Sequence, residues 1–207
     1  MAKSKGGNFR RSPASRQPKK IIYVFTEGAV TEPEYLNDFS RNLGGKSASV
    51  LKIFPAAGVP HTIVQKCLAL RRELCSRRTY SLGPQDEIWA AFDVDEHPRI
   101  LESYNLALKS GVGVAVSNPC IELWGLLHYG EVNAPLSRQE AQRKLRDLMP
   151  GYDHHTNARF PWGECSEKYE VAIANAQKGR GQRLAEGSIF PNDCPSSSFD
   201  LLLAVFL

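Results

Sequence analysis

A chain of 207 residues has the length for one sizeable core and leaves little room for a second independent domain. At 42% hydrophobic and 23% charged residues it has the composition of an ordinary globular protein, and no apolar run approaches the roughly 18–20 residues that span a bilayer. Residues 1–20 carry seven Lys or Arg and no acid; since the whole chain is +4, residues 21–207 sum to −3, which excludes a uniformly cationic nucleic-acid binder.

The basic segment 1–20 has no apolar stretch of the kind a secretory signal needs, and reads as a solvated, disordered tail. Its second reading is an electrostatic hold on phosphates. The five cysteines (Cys67, Cys75, Cys120, Cys165 and Cys194) form no C-x-x-C pair and no zinc-like spacing, so they read as reduced, partly buried thiols. These features point to a cytosolic protein with no membrane attachment.

Order is expected from Ile21 onward, as a single domain over 21–207. "IIYVF" (21–25) is a short apolar run of the kind that forms a buried parallel strand. "TEPEYLNDFSRNLGG" (31–45) predicts a helix, with Thr31 and Glu34 spaced as a capping box, Pro33 in the tolerant first turn, and Gly44-Gly45 as the stop. A second strand is expected over 49–55, then a helix over 61–78 whose buried stripe is Ile63, Cys67, Leu70 and Leu74. That helix gathers Arg71, Arg72, Arg77 and Arg78, read as a solvated face or as a phosphate-contacting patch.

"EIWAAF" (87–92) predicts the third strand, followed by a helix over about 98–109, and "VGVAVS" (112–117) the fourth, leading through "NPC" into the apolar helix "IELWGLLHY". Strand–helix units repeated four times predict an α/β fold, with a mostly parallel sheet of about four strands and helices on both faces. A C-terminal helical extension is expected to follow. It comprises a polar helix over 136–148 capped by Ser137 and Glu140, a last amphipathic helix over about 166–178, a loop over 178–188, and a closing helix or strand in "SSFDLLLAVFL".

In open parallel sheets, ligands bind outside the carboxyl ends of the strands. The first strand ends at Glu27. The third ends in "FDVDEHP", with Asp93, Asp95, Glu96 and His97, and the fourth in "SNPCIE", with Asn118 and Glu122. If neighbouring strands pair, these carboxylates converge on one rim. Two carboxylates about 5 Å apart repel by roughly 3 kcal/mol at an effective dielectric of 20, so several stay ionised together only around a cation. Hard oxygen donors suit Mg²⁺ or Mn²⁺. Taken singly, each piece has a plain alternative: a polar turn for the D-x-D, a helix cap for Glu34, the helix dipole for Glu32, and a bend for Asn118-Pro119. His97 reads as a surface turn and His128 as a packed histidine, each with proton transfer as the alternative.

"EGAVTEPEY", "FDVDEHP" and "SNPCIELWGLLHYG" resemble the motifs of the RloB-like proteins, which include the second component of the AbiL abortive-infection system. The likeness runs over about residues 20–207; the closing "DCPSSS" departs from the family pattern. The resemblance implies a Toprim-like (Rossmann-like) domain, in which Glu27 would act in acid–base chemistry and Asp93 and Asp95 would bind Mg²⁺. Glu27 could also serve as a shared ligand. Glu122 and Asn118 match the family's third motif, with a second metal or a substrate contact implied less directly. It also implies an ABC- or SMC-like ATPase partner in phage defence.

The expected function is therefore a Mg²⁺-dependent nuclease acting on DNA or RNA. Glu27, Asp93, Asp95 and Glu122 would form the catalytic group, and His97, Asn118, Arg71 and Arg72 would contact substrate. The alternatives are a non-catalytic Toprim-like subunit that docks the ATPase, and sugar-nucleotide or aspartyl-phosphate chemistry. The position of the acid pair after the third strand counts against the aspartyl-phosphate reading. The apolar end "LLLAVFL" is expected to be buried in the domain or against another chain, including a second copy.

Overall fold

The apolar runs of the sequence become strands because pairing satisfies their backbone groups while at least one face of each packs beneath helices. In the computed structural model, which describes residues 19–43, 49–76, 82–94 and 97–207, these are β1 (Lys20–Thr26), β2 (Ser49–Phe54), β3 (Glu87–Asp93) and β4 (Gly113–Asn118). All four are parallel, and β5 (Ser196–Ser197) adds an antiparallel edge to β4. The sheet order is β2-β1-β3-β4-β5. Residues 1–18, the Gly44-Gly45 stop, Arg77 and Arg78, and Asp95 and Glu96 lie outside the described residues.

Alternation along the strands feeds two cores. One face of the sheet sets Ile22, Val24, Trp89, Ala91 and Ala115 against α1 (Thr31–Leu43), α4 (Glu122–Leu127), α5 (Arg138–Leu148), α7 (Tyr169–Ala185) and α8 (Phe199–Ala204). The other sets Tyr23, Phe25, Ile88, Ala90, Phe92, Val114 and Val116 against α2 (Pro60–Ser76) and α3 (Ile100–Lys109). A short α6 (Trp162–Cys165) precedes α7. The architecture is α/β and compatible with a Toprim-like or Rossmann-like fold. Among the described residues no helix is long and apolar enough to cross a membrane.

Two local expectations change. The Thr31–Glu34 capping box is absent. The Thr31 hydroxyl donates to the Ala158 carbonyl at 2.6 Å, the Glu34 amide bonds back to Val30, and the Glu34 carboxylate lies 3.6 Å from Arg159. Partners from the 153–160 loop have taken both side chains. The box at Ser137 and Glu140 forms as expected. Residues 178–185 are helix, not loop: α7 runs on through Gly179 and Gly181 because Arg180 pairs with Asp200, which is 1% exposed. The apolar C-terminus is buried within the domain, with Phe199, Leu202, Leu203 and Phe206 in the larger core.

All five cysteines are free. Burial pushes the Cys67 and Cys165 thiols up to about 12, which leaves them protonated and unreactive at neutral pH.

Candidate active site

The crossover from β1 leads outward to β2, whereas that from β3 leads the other way to β4. The crevice between the carboxyl ends of β1 and β3 is therefore the topological switch point, where sheets of this kind hold ligands. Glu27 leaves β1 on one side of it, its amide tied to the Ala91 carbonyl at 3.0 Å. Asp93 ends β3 on the other side. One oxygen of Glu27 accepts from the Asp93 backbone N–H at 3.2 Å, and the other lies 2.8 Å from His97 Nε2. Arg138, at the start of α5, donates to Asp93 Oδ2 at 3.1 Å.

Two further carboxylates close on this crevice. Glu32, in the first turn of α1, is 4% exposed and folds back to accept from the Gly28 amide at 3.1 Å. Glu122, which opens α4, is 1% exposed; its Oε1 accepts from the Tyr152 hydroxyl at 2.6 Å and from His154 Nδ1 at 2.8 Å. Its Oε2 is buried with no hydrogen-bond partner among the described residues.

The electrostatics follow from this crowding. Burial, and next the charge of Glu32, push Asp93 well above the ordinary carboxylate range against the pull of Arg138; Glu122 and Glu27 add to the push. Burial raises Glu32 as well, opposed by backbone N–H groups and reinforced by Glu27 and Glu122. Burial alone would raise Glu122 too, but the Tyr152 hydroxyl, with the Cys120 thiol beside it, holds its carboxyl below the usual value. The crevice thus carries more acid than its basic partners offset.

Of the residues singled out in the sequence, Glu27, Asp93, His97 and Glu122 come to this edge of the sheet, and Asp95 lies outside the described residues. Asn118 is 5% exposed, and its amide donates to the Pro191 carbonyl at 2.9 Å and to Asp193 at 2.8 Å, fastening the closing segment. Arg71 and Arg72 are not part of the crevice. They lie near the far end of α2, where Arg71 donates to the Ser110 carbonyl just ahead of β4, at the opposite edge of the sheet. His128 is a packed residue: it lies 3.0 Å from the Tyr35 hydroxyl and 2.9 Å from the Trp124 carbonyl, and burial pushes it down to about 4.

Sequence reasoning missed Glu32, Arg138, Tyr152 and His154. The only sequence signal for the last two was the density of His and aromatics in "GYDHHTNARFPW". Among the described residues no three His, Cys, Asp or Glu side chains are gathered closely enough to hold a metal ion. The orphaned Glu122 oxygen and the repulsion on Asp93 are nevertheless both features that a hard cation would relieve.

A family model described as RloB-like protein matches residues 22–205, nearly the whole chain. The chain belongs to the RloB-like family. The match contains every element of the sheet from Ile22 onward, so the crevice lies wholly within the RloB-like region. No curated protein and no solved structure matches the chain.

Proposed function

We propose that this RloB-like chain is a Mg²⁺-dependent nuclease that hydrolyses DNA or RNA phosphodiester bonds as the effector of an anti-phage abortive-infection system with an ATPase partner. The observation that carries this reading is the meeting of Glu27, Glu32, Asp93 and Glu122 at the switch point of the sheet, with Asp93 held well above the ordinary carboxylate range by burial and like charge. Such a site gains most from a hard divalent cation and a phosphate ligand. In the Toprim-like scheme, Asp93 and Asp95 would hold Mg²⁺ or Mn²⁺, with Glu27 adjoining.

The metal, when bound, would supply charge stabilisation at the scissile phosphate and a more acidic water. Glu27 is fastened at both oxygens, by the Asp93 N–H and by His97, which orients it to accept a proton at Oε2 or Oε1. His97 is placed to pass that proton toward solvent, being 19% exposed at its side chain. Arg138 fixes the rotamer of Asp93 and lends positive charge to the phosphate side.

The test is incubation of the purified protein with Mg²⁺ or Mn²⁺ and mixed single- and double-stranded DNA and RNA, with and without an ABC- or SMC-like ATPase. Cleavage of at least one substrate is expected, with Asp93→Ala and Glu27→Gln each reducing it by about 100-fold or more. A second reading, a non-catalytic Toprim-like subunit docking the ATPase, draws on the partners that already fasten the acids: His97 on Glu27, Arg138 on Asp93 and Tyr152 on Glu122. It prevails if no substrate is cut in any mixture and Asp93→Ala leaves phage defence intact.

A further inference from the structure

Glu122 and α5 connect the acidic crevice to a second feature of opposite sign. One face of α5 presents Gln139, Gln142, Arg143 and Arg146, spaced at three and four residues, across a cleft of about 240 Å³ from His154 and His155. Arg143, Arg146 and His155 are exposed, so the cleft opens to solvent. Asp153 is the acid on its wall, but its Oδ1 already accepts from the His155 and Thr156 amides and the Thr156 hydroxyl. Against that one carboxylate the cleft offers a ligand two guanidinium groups, two glutamine amides and the two imidazoles.

His154 is not simply one more surface base. Its Nδ1 is turned inward to the buried Glu122 carboxylate at 2.8 Å, which leaves Nε2 as the nitrogen available to the cleft. A carboxylate that grips one imidazole nitrogen fixes the ring's orientation. Glu122 is gripped in turn by Tyr152. The helix that carries the two arginines also carries Arg138, bonded to Asp93, so cleft and crevice share one rigid element.

We propose that this cleft binds a backbone phosphate of the nucleic-acid strand, with Arg143 and Arg146 supplying charge and His154, positioned by Glu122, presenting its Nε2 edge to the ligand. The strand would thus be anchored beside the carboxylates that act on it. This rests on the nuclease reading for the identity of the ligand. The contacts are to phosphate, so they hold and orient the strand without reading bases.

The test is fluorescence anisotropy of the full chain with labelled single-stranded RNA and DNA in EDTA, across a salt series, for the wild type, Arg143→Gln/Arg146→Gln, His154→Ala and Arg72→Gln. The double variant is expected to bind at least tenfold more weakly and to lose roughly 0.7 from the log–log salt slope for each phosphate contact removed. His154→Ala should weaken binding severalfold, and Arg72→Gln, a charge lost at the opposite edge of the sheet, should leave it intact. Thermal melting of each variant separates loss of binding from loss of fold. Wild-type binding with an unchanged slope in the double variant overturns the cleft while leaving the nuclease reading standing. Binding that depends on the cleft in a protein that cuts nothing upholds the cleft and overturns the nuclease. A wild-type chain that binds neither strand overturns the cleft outright.

Discussion

Glu32 and Glu34 lie two residues apart in one helical turn and have opposite surroundings. Glu34 faces Arg159 near solvent, while Glu32 packs its carboxylate over Gly28, where a Cβ would come within 2.0 Å of its Oε2. Gly28 is thus required by close approach. The end of a flexible side chain would ordinarily step aside at little cost. Here the carboxylate is 4% exposed and bonded to the Gly28 amide itself, so moving it breaks a buried hydrogen bond. Gly28→Ala is expected to destabilise the fold by about 1–3 kcal/mol, read as a lower urea midpoint at unchanged m-value. An unchanged midpoint would show that Glu32 has room to relax.

At the scale of elements, α5 and α7 show how much a helix owes to what it packs against. The Ser137–Glu140 box is local and starts α5 without help. The end of α7 is not local: glycines at 179 and 181 each weaken a helix by about 1 kcal/mol relative to alanine, and their sequence reads as a loop. The Arg180–Asp200 pair, 2.8 Å apart at Nη2 and Oδ2, outweighs this and fastens α7 to α8. Asp200→Ala should cost about 2–3 kcal/mol, below the usual figure for a buried pair because Arg180 keeps 26% side-chain exposure. Amide hydrogen exchange over residues 180–185 should quicken with it. Slow exchange there in the variant would mean that the pair does not hold the last turns of α7.

For the molecule as a whole, the buried acids couple folding to pH. Asp93 and Glu32 have folded-state carboxyls raised above their unfolded values, so the folded chain keeps protons that the unfolded chain has released. Stability without divalent metal should therefore fall as pH climbs from the ordinary carboxylate range, about 4, through the raised values. Glu122, held below its ordinary value, contributes in the opposite sense, and its share is lost at the acid end. Asp93→Asn removes one of the two raised carboxyls, so it should flatten the decline and raise the melting temperature at neutral pH. Urea titrations at intervals from pH 4 to 8 would test this, and coincident profiles for the two proteins would refute it.

Much of this organisation can be read along the chain. Strands β1, β3 and β4 fall where apolar runs bury both faces, and β2 where alternate residues turn inward at the sheet edge, because both requirements are local and periodic. Glu27 and Asp93 stand at strand ends, so a parallel sheet alone carries them to one edge. The family likeness likewise rests on contiguous motifs. Only the tertiary structure decided the rest of the site. Arg138 reaches Asp93 across 45 residues, and Tyr152 and His154 reach Glu122 across 30 and 32, through loops with no periodicity to reveal the pairing. It separated Arg71 and Arg72 from the acids by the length of a helix, and it buried Glu32 while leaving Glu34 near solvent. Local pattern specifies which face a residue presents; which distant charge that face meets depends on how the helices and loops pack over the sheet.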